Sequence, residues 1–144
     1  MSQDNVELVV RLQPAPDADI GQLFRDDDRV AALASVVARF FHADFECVAY
    51  LFDDAKTFTG LDGLRALWLD WLTPWATYRT EIEEAIDCGE RVLLLVHDFG
   101  RRAGSTEEVR GNVAAIWTVR DGKIARAEFY PSCDEALKAV GLEG

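Results

Sequence analysis

VRGNVAAIWTVRDGKIARAEFY, the stretch from Val109 to Tyr130, decides the fold of this chain. Two apolar runs flank Asp121-Gly122, and Asp-Gly between such runs favours a two-residue type I′ turn, which needs positive φ at both central residues. The stretch therefore reads as a β-hairpin. On its first strand Val113, Ala115, Trp117 and Val119 face one way, and Ala114 and Ile116 the other. The preceding run, Arg91 to Arg102, repeats the pattern, with Val92, Leu94 and Val96 on one face and Leu93 and Leu95 on the other. An antiparallel strand with one solvated face alternates apolar with polar. These two are apolar on both sides, so each side needs cover: helices on one and, on this reading, a second copy of the chain on the other.

Working outward, FECVAYLF (Phe45–Phe52) is rich in aromatic and β-branched residues and predicts another strand. Tyr78 to Asp87 alternates loosely and predicts one more, closed by a turn at Cys88-Gly89-Glu90. Between them Leu61, Leu64, Leu67, Trp68, Trp71, Leu72 and Trp75 form one face of a helix, opened by a Thr59–Asp62 capping box and ended near Pro74. Its tryptophans, at i, i+3 and i+7, are plain core on one reading and pocket lining on the other. Val30 to Phe41 carries a second helical pattern, with Asp27 or Asp28 as its cap. Short helices are expected over NVELVVRL (Asn5–Leu12), ended by Pro14 and Pro16, and around Ile20–Phe24. A terminal helix follows Ser132, which forms a capping box with Glu135, and stops at Gly141. Helices, a strand, a helix and a long antiparallel meander make an α+β domain, with the helices gathered on one face of a curved sheet.

At 144 residues, 49% of them hydrophobic and clustered, the chain is the size of one domain with a substantial core, and 1–144 is taken as that domain. A formal net charge of −11 and no basic cluster beyond Arg101-Arg102 argue against nucleic acid and anionic membrane as partners. No run is apolar enough to span a bilayer and the N-terminus has no secretion signal, so a cytoplasmic protein is expected. Cys47, Cys88 and Cys133 are far apart and predict buried, inert thiols. His42 and His97 are isolated, and Gly60-x-x-Gly63 lacks the rest of a dinucleotide or phosphate-loop motif, so neither metal nor cofactor is expected.

WTVRDGKIARAEFY followed by DEALKAVGL resembles the C-terminal part of the SnoaL-like branch of the nuclear-transport-factor-2-like superfamily. FHADFE (Phe41–Glu46), Gly60-Leu61-Asp62-Gly63-Leu64-Arg65 and Gly89-Glu90-Arg91-Val92 follow in the branch's order, so the resemblance runs from Asp28 to Leu142. It implies a conical α+β barrel in which a bent antiparallel sheet wraps a helix-lined cavity, usually dimeric through the sheet's outer face. Such relatives include polyketide cyclases, a steroid isomerase, epoxide hydrolases, dehydratases and proteins without catalysis, so the fold leaves the reaction open.

Residue by residue, the resemblance removes the easiest chemistry. The acids of the cyclase and isomerase relatives fall here on Phe129 and Ala115, neither of which exchanges a proton, and Glu128 points to the other face. In the epoxide-hydrolase branch a water-positioning tyrosine falls on Tyr50, a catalytic acid falls near Asp98, and an arginine falls on Val96. The resemblance thus implies a mostly apolar pocket lined by Val96, Ala115, Trp117, Val119 and Phe129, with Trp68 and Trp71 added from the helix. Asp98 and Tyr50 are its catalytic candidates, since a positioned carboxyl group can serve as an acid/base. The plainer expectation puts Asp98 at an exposed strand end, paired with Arg101 or Arg102. Three functions follow: a cone binding a small hydrophobic molecule, a cofactor-independent enzyme of cyclase, isomerase or hydrolase type using Asp98 and Tyr50, or a non-catalytic dimeric interaction module.

Overall fold

Asp121 and Gly122 sit at φ 54° and 75°, the two positive values a type I′ turn requires. The computed structural model describes residues 2–50 and 54–141. Its elements are, in order, α1 (Ser2–Arg11), α2 (Ile20–Arg25), α3 (Asp27–Val37), a 3-10 turn (Ala38–Phe40), β1 (Phe41–Ala49), β2 (Lys56–Thr59), α4 (Gly60–Leu72), β3 (Trp75–Cys88), β4 (Arg91–Arg102), β5 (Glu108–Arg120), β6 (Lys123–Tyr130) and α5 (Cys133–Ala139). The strands form one curved, unclosed sheet in the order β2-β1-β6-β5-β4-β3.

The sheet is mixed where a wholly antiparallel one is expected. β1 pairs in parallel with β6, Cys47 beside Ala127 and Ala49 beside Phe129, while the other pairings are antiparallel. The cause is topological. The chain crosses through β2 and α4 to the far edge, and the antiparallel steps from β3 return β6 to β1 running in β1's own direction. Irregular register at Trp75/Thr77, Ile82/Glu84 and Thr118/Val119 bends the strands.

Both apolar faces of β4 and β5 are covered, as alternation demands. On the inner face Val92, Leu94, Trp117 and Ala127 pack with Leu8 and Val9 of α1 and Leu67 of α4. On the outer face Leu93, Ala114 and Ile116 pack against Ala136 and Leu137 of α5. The second face is thus covered within the chain, and its apolarity does not require a partner copy.

Several local expectations shift. Asp26, not Asp27 or Asp28, caps α3, its Oδ1 accepting from the N–H groups of Asp28 (3.0 Å) and Arg29 (3.1 Å). Thr59 stands at the N-cap of α4 but its side chain makes no capping bond, whereas Ser132 Oγ accepts from the Glu135 N–H at 3.2 Å as its sequence implies. Trp75 leaves the helix and opens β3, and β1 begins at Phe41 rather than Phe45. The expected end of that strand at Leu51-Phe52 lies outside the described residues. The apolar face of α3 is not core: Leu33 and Val36 are 40% and 61% exposed. Cys47 is buried, but Cys88 and Cys133 are only half-buried.

Candidate functional site

Three charged side chains fix the helices over the inner face. Asp19 Oδ1 accepts from Gly21 N–H (3.0 Å), capping α2, and from Tyr78 N–H (3.2 Å), which ties that helix to β3. Arg25 donates to the carbonyls of Leu72 (2.6 Å) and Trp75 (2.8 Å) where α4 ends. Arg65, on α4, donates to the Phe24 carbonyl (3.0 Å) and to Asp27 Oδ1 (2.7 Å), holding the α2–α3 junction. Such charge-assisted bonds are short and directional, and here they tie α2, α3 and α4 to one another and to β3.

Beneath these helices, among the described residues, lie two apolar cavities. One of about 250 Å³ is walled by Phe24, Leu33, Leu61, Leu64, Trp68 and Trp117 among others. A smaller one of about 50 Å³ is bounded by Trp71, Tyr78, Leu94, Val96, Ala115 and Phe129, with Trp68 also in its wall. Gln13, Pro14 and Trp68 border both, the Trp68 ring stacked on Phe24 (centroids 5.5 Å apart) and 6.2 Å from the rings of Tyr78 and Phe129. The exposure of Leu33 is thereby explained, because Val30, Leu33, Ala34 and Val37 form one wall of the larger cavity, while Val36 lies outside it.

Asp98 does not sit at an exposed strand end. It is 8% exposed, and its Oδ2 accepts a 2.7 Å bond from the Tyr78 hydroxyl, in place of the expected pairing with Arg101 or Arg102. The register explains this. Asp98 lies opposite Thr80 on β3 and Gly111 on β5, so Tyr78, two residues along on the same face, reaches back diagonally. Trp71 hydrogen-bonds to the same phenol, which makes a chain from indole N–H to hydroxyl to carboxylate. Asp98 Oδ1 is buried with no protein partner. Burial, then the Asp98 charge and its hydrogen bond, push the Tyr78 phenol well above its ordinary pKa, so at neutral pH it is a proton donor.

Tyr50 is not brought to Asp98. It lies just past β1, with β6 and β5 between it and β4, is 36% exposed, and stacks on Tyr130 at 4.8 Å. Tyr130 bonds Glu128 Oε2 (3.1 Å), and Glu128 and Glu46 both engage Arg126, a polar row on the face opposite Ala127 and Phe129. Tyr50 therefore belongs to the outer side, because its neighbour Ala49 takes the inner one. Of the pocket-lining candidates, Trp71, Val96, Ala115 and Phe129 border the small cavity, Trp117 the large one and Trp68 both, while Val119 borders neither and is core. Tyr78 was not a candidate by sequence. Its partner lies on another strand, and only the register between β3 and β4 connects them.

The histidines are occupied elsewhere. His42 Nε2 is 2.7 Å from the Arg120 carbonyl, and His97 Nδ1 is 2.6 Å from Asn112 Oδ1. Among the described residues no three His, Cys, Asp or Glu side chains are grouped as metal ligands, and no helix is long and apolar enough to cross a membrane.

A curved α+β sheet with α1 to α4 over one face, α5 on the other and cavities beneath the former is the architecture of this chain. Within it, the family model described as the SnoaL-like domain matches residues 31–127, and the chain belongs to that family. No curated protein matches it. Among solved structures it is similar to a putative SnoaL-like polyketide cyclase from Jannaschia sp. CCS1, at 15% identity and a TM-score of 0.66, covering 99% of this chain and 94% of that one. It is also similar to TerC co-crystallised with polyporic acid, at 20% identity and a TM-score of 0.64, covering 95% and 98%. A third is AclR, a putative hydroxylase from Streptomyces galilaeus, at 14% identity and a TM-score of 0.58, covering 98% and 97%. At these identities the likeness is one of fold.

Proposed function

We propose that this chain, as one SnoaL-like domain, binds a small, mostly apolar molecule in the 250 Å³ cavity between α2, α3, α4 and the sheet. The cavity carries this reading: its wall is apolar and aromatic, the ordinary make-up of a small-molecule site. An apolar cavity of about 150 Å³ holds one benzene, so this one suits a molecule of roughly two fused rings. The co-crystallisation of TerC, a protein of the same fold, with polyporic acid supports the same reading. The test is thermal stabilisation by 2-isopropenylnaphthalene. A ligand at about 100 times its Kd adds about 2.7 kcal/mol, a rise in Tm of roughly 5–10 °C for a chain of this length. Ala34→Trp, which projects an indole from α3 into the cavity, should abolish the rise. An undiminished rise in that variant would move the site elsewhere.

A second reading is proton-transfer catalysis at the small cavity. It is favoured by the buried Asp98, whose Oδ1 has no protein partner and whose Oδ2 is held by Tyr78 in the cavity wall. Tyr78 takes the place that sequence gives to Tyr50. Deuterium exchange at the methyl groups of acetone, the smallest methyl ketone, in D2O checks it: wild type should exceed the buffer rate and Asp98→Asn should not. Exchange at the buffer rate in both would sink it.

A further inference from the structure

We infer that Arg11 is the polar anchor of the larger cavity and that the ligand is an apolar acid, with its hydrocarbon body in the cavity and its carboxylate at the mouth. The inference rests on the proposed binding reading and adds what that reading lacks, the charge of the ligand. The chain carries 26 acidic residues against 15 lysines and arginines. The wall of this cavity reverses that balance, with two arginines, Arg11 and Arg65, and no aspartate or glutamate. Arg65 is partly spent, its Nε on the Phe24 carbonyl and its Nη2 on Asp27. Arg11 is not. It is the last residue of α1, borders the cavity and is exposed. Among the described residues it makes no ion pair, and its side chain makes no hydrogen bond. An arginine that is both exposed and part of the wall stands at the mouth, within reach of a ligand and of water alike.

The chemistry of that mouth selects an acid. A guanidinium is always charged, and its fork of N–H donors matches the two oxygens of a carboxylate. The apolar wall takes a hydrocarbon body out of water, while a carboxylate at the rim keeps part of its hydration and escapes the cost of burying a charge. An amine would bring positive charge toward Arg11 and Arg65 with no acid in the wall to receive it. A plain hydrocarbon would leave Arg11 unused. The rest of the surface sharpens the choice, because a net charge of −11 disfavours anions wherever positive charge is not local.

Two probes of one shape test this: 2-naphthoate, ionised at neutral pH, and 2-isopropenylnaphthalene, in which a methylene and a methyl group replace the carboxylate oxygens. Calorimetric Kd values are measured for both on the wild type, Arg11→Met and Arg110→Met. The first variant keeps an apolar stem and removes the charge at the mouth. The second makes the same change in net charge at an exposed arginine of β5 outside the wall. Dividing by the hydrocarbon's Kd removes any effect of a substitution on the cavity itself. The affinity of naphthoate relative to the hydrocarbon should fall roughly 3- to 30-fold in Arg11→Met, between the loss of an exposed ion pair and that of a charge-assisted hydrogen bond. It should stay at the wild-type value in Arg110→Met. If the hydrocarbon binds but naphthoate does not, or the relative affinity is unchanged in Arg11→Met or falls equally in both variants, the anchor is refuted while the binding site stands. If neither probe binds, the binding site falls and the anchor with it.

Discussion

Removing one oxygen from the buried dyad gives the sharpest test of the site's geometry. Tyr78→Phe deletes the hydroxyl that bonds Asp98 Oδ2 at 2.7 Å. Asp98 Oδ1 already lacks a protein partner, so the variant leaves a carboxylate, 8% exposed, with neither oxygen bonded. A hydrogen bond to a charged group is worth about 1.5–3 kcal/mol, and Trp71 loses its acceptor as well. The expected loss is about 2–3 kcal/mol, a fall in urea midpoint of roughly 1–1.5 M for an m-value of about 2 kcal/mol/M. Tryptophan fluorescence follows the transition directly, since Trp68, Trp71 and Trp75 lie 6.2, 6.2 and 5.8 Å from the Tyr78 ring. Asp98→Asn keeps an acceptor for the phenol and should cost about 1 kcal/mol. The double variant should therefore be less destabilised than the sum of the two. A Tyr78→Phe midpoint within about 0.2 M of wild type, or strict additivity, would refute the buried dyad.

Gly111→Ala makes a complementary perturbation from the opposite strand, because a Cβ there would lie 2.7 Å from Asp98 Oδ1. It should cost about 1–3 kcal/mol by overpacking, and much less when measured against Asp98→Ala, where the obstructing oxygen is gone; equal costs in both backgrounds would contradict the contact. Alkaline pH is the next lever. Burial, and secondarily Glu46, push the Cys47 thiol from 9.0 up to about 12. Between those values the unfolded chain releases a proton that the folded one keeps, so its stabilising effect is fully present below about pH 9 and lost as pH rises toward 12. Urea midpoints compared at about pH 8 and pH 10.5 should fall less in Cys47→Ala than in wild type, and parallel falls would exclude the thiol as a contributor. Homodimerisation through the outer sheet face, which the resemblance implies, predicts twice the chain mass by light scattering at micromolar concentration. A monomer there would end that proposal.

Much of the fold is legible in residues 109–130. A turn is a local event, and Asp121-Gly122 carries its own conformational preference, realised at φ 54° and 75°. Alternation is local too, so the division of Val92, Leu94, Ala115 and Trp117 from Leu93, Ala114 and Ile116 follows from side-chain parity and is found in two separate cores. What covers each face is not local. α5 takes the outer side of β4 and β5, and the parallel seam between β1 and β6 arises from the path of the whole chain.

The site depended still more on tertiary structure. The resemblance assigned Trp68, Trp71, Val96, Ala115, Trp117, Val119 and Phe129 to one pocket, whereas they lie along two cavities and Val119 lies in the core. It could not divide that space, because the residues between the cavities come from distant parts of the chain: Gln13 and Pro14 after α1, and Trp68, its ring held between Phe24 and Phe129. Nor could it pair Asp98 with Tyr78 instead of Tyr50. A carboxylate's partner across strands is set by register, and an irregular step in β3 between Trp75 and Thr77 or between Ile82 and Glu84 shifts every later side chain relative to β4. Sequence by itself determined the hairpin, the helical stripes and the apolar character of the pocket face, all of which depend on neighbours in the chain. Only the folded sheet decided which polar atoms meet there and which, like Trp117 Nε1, are left without a partner.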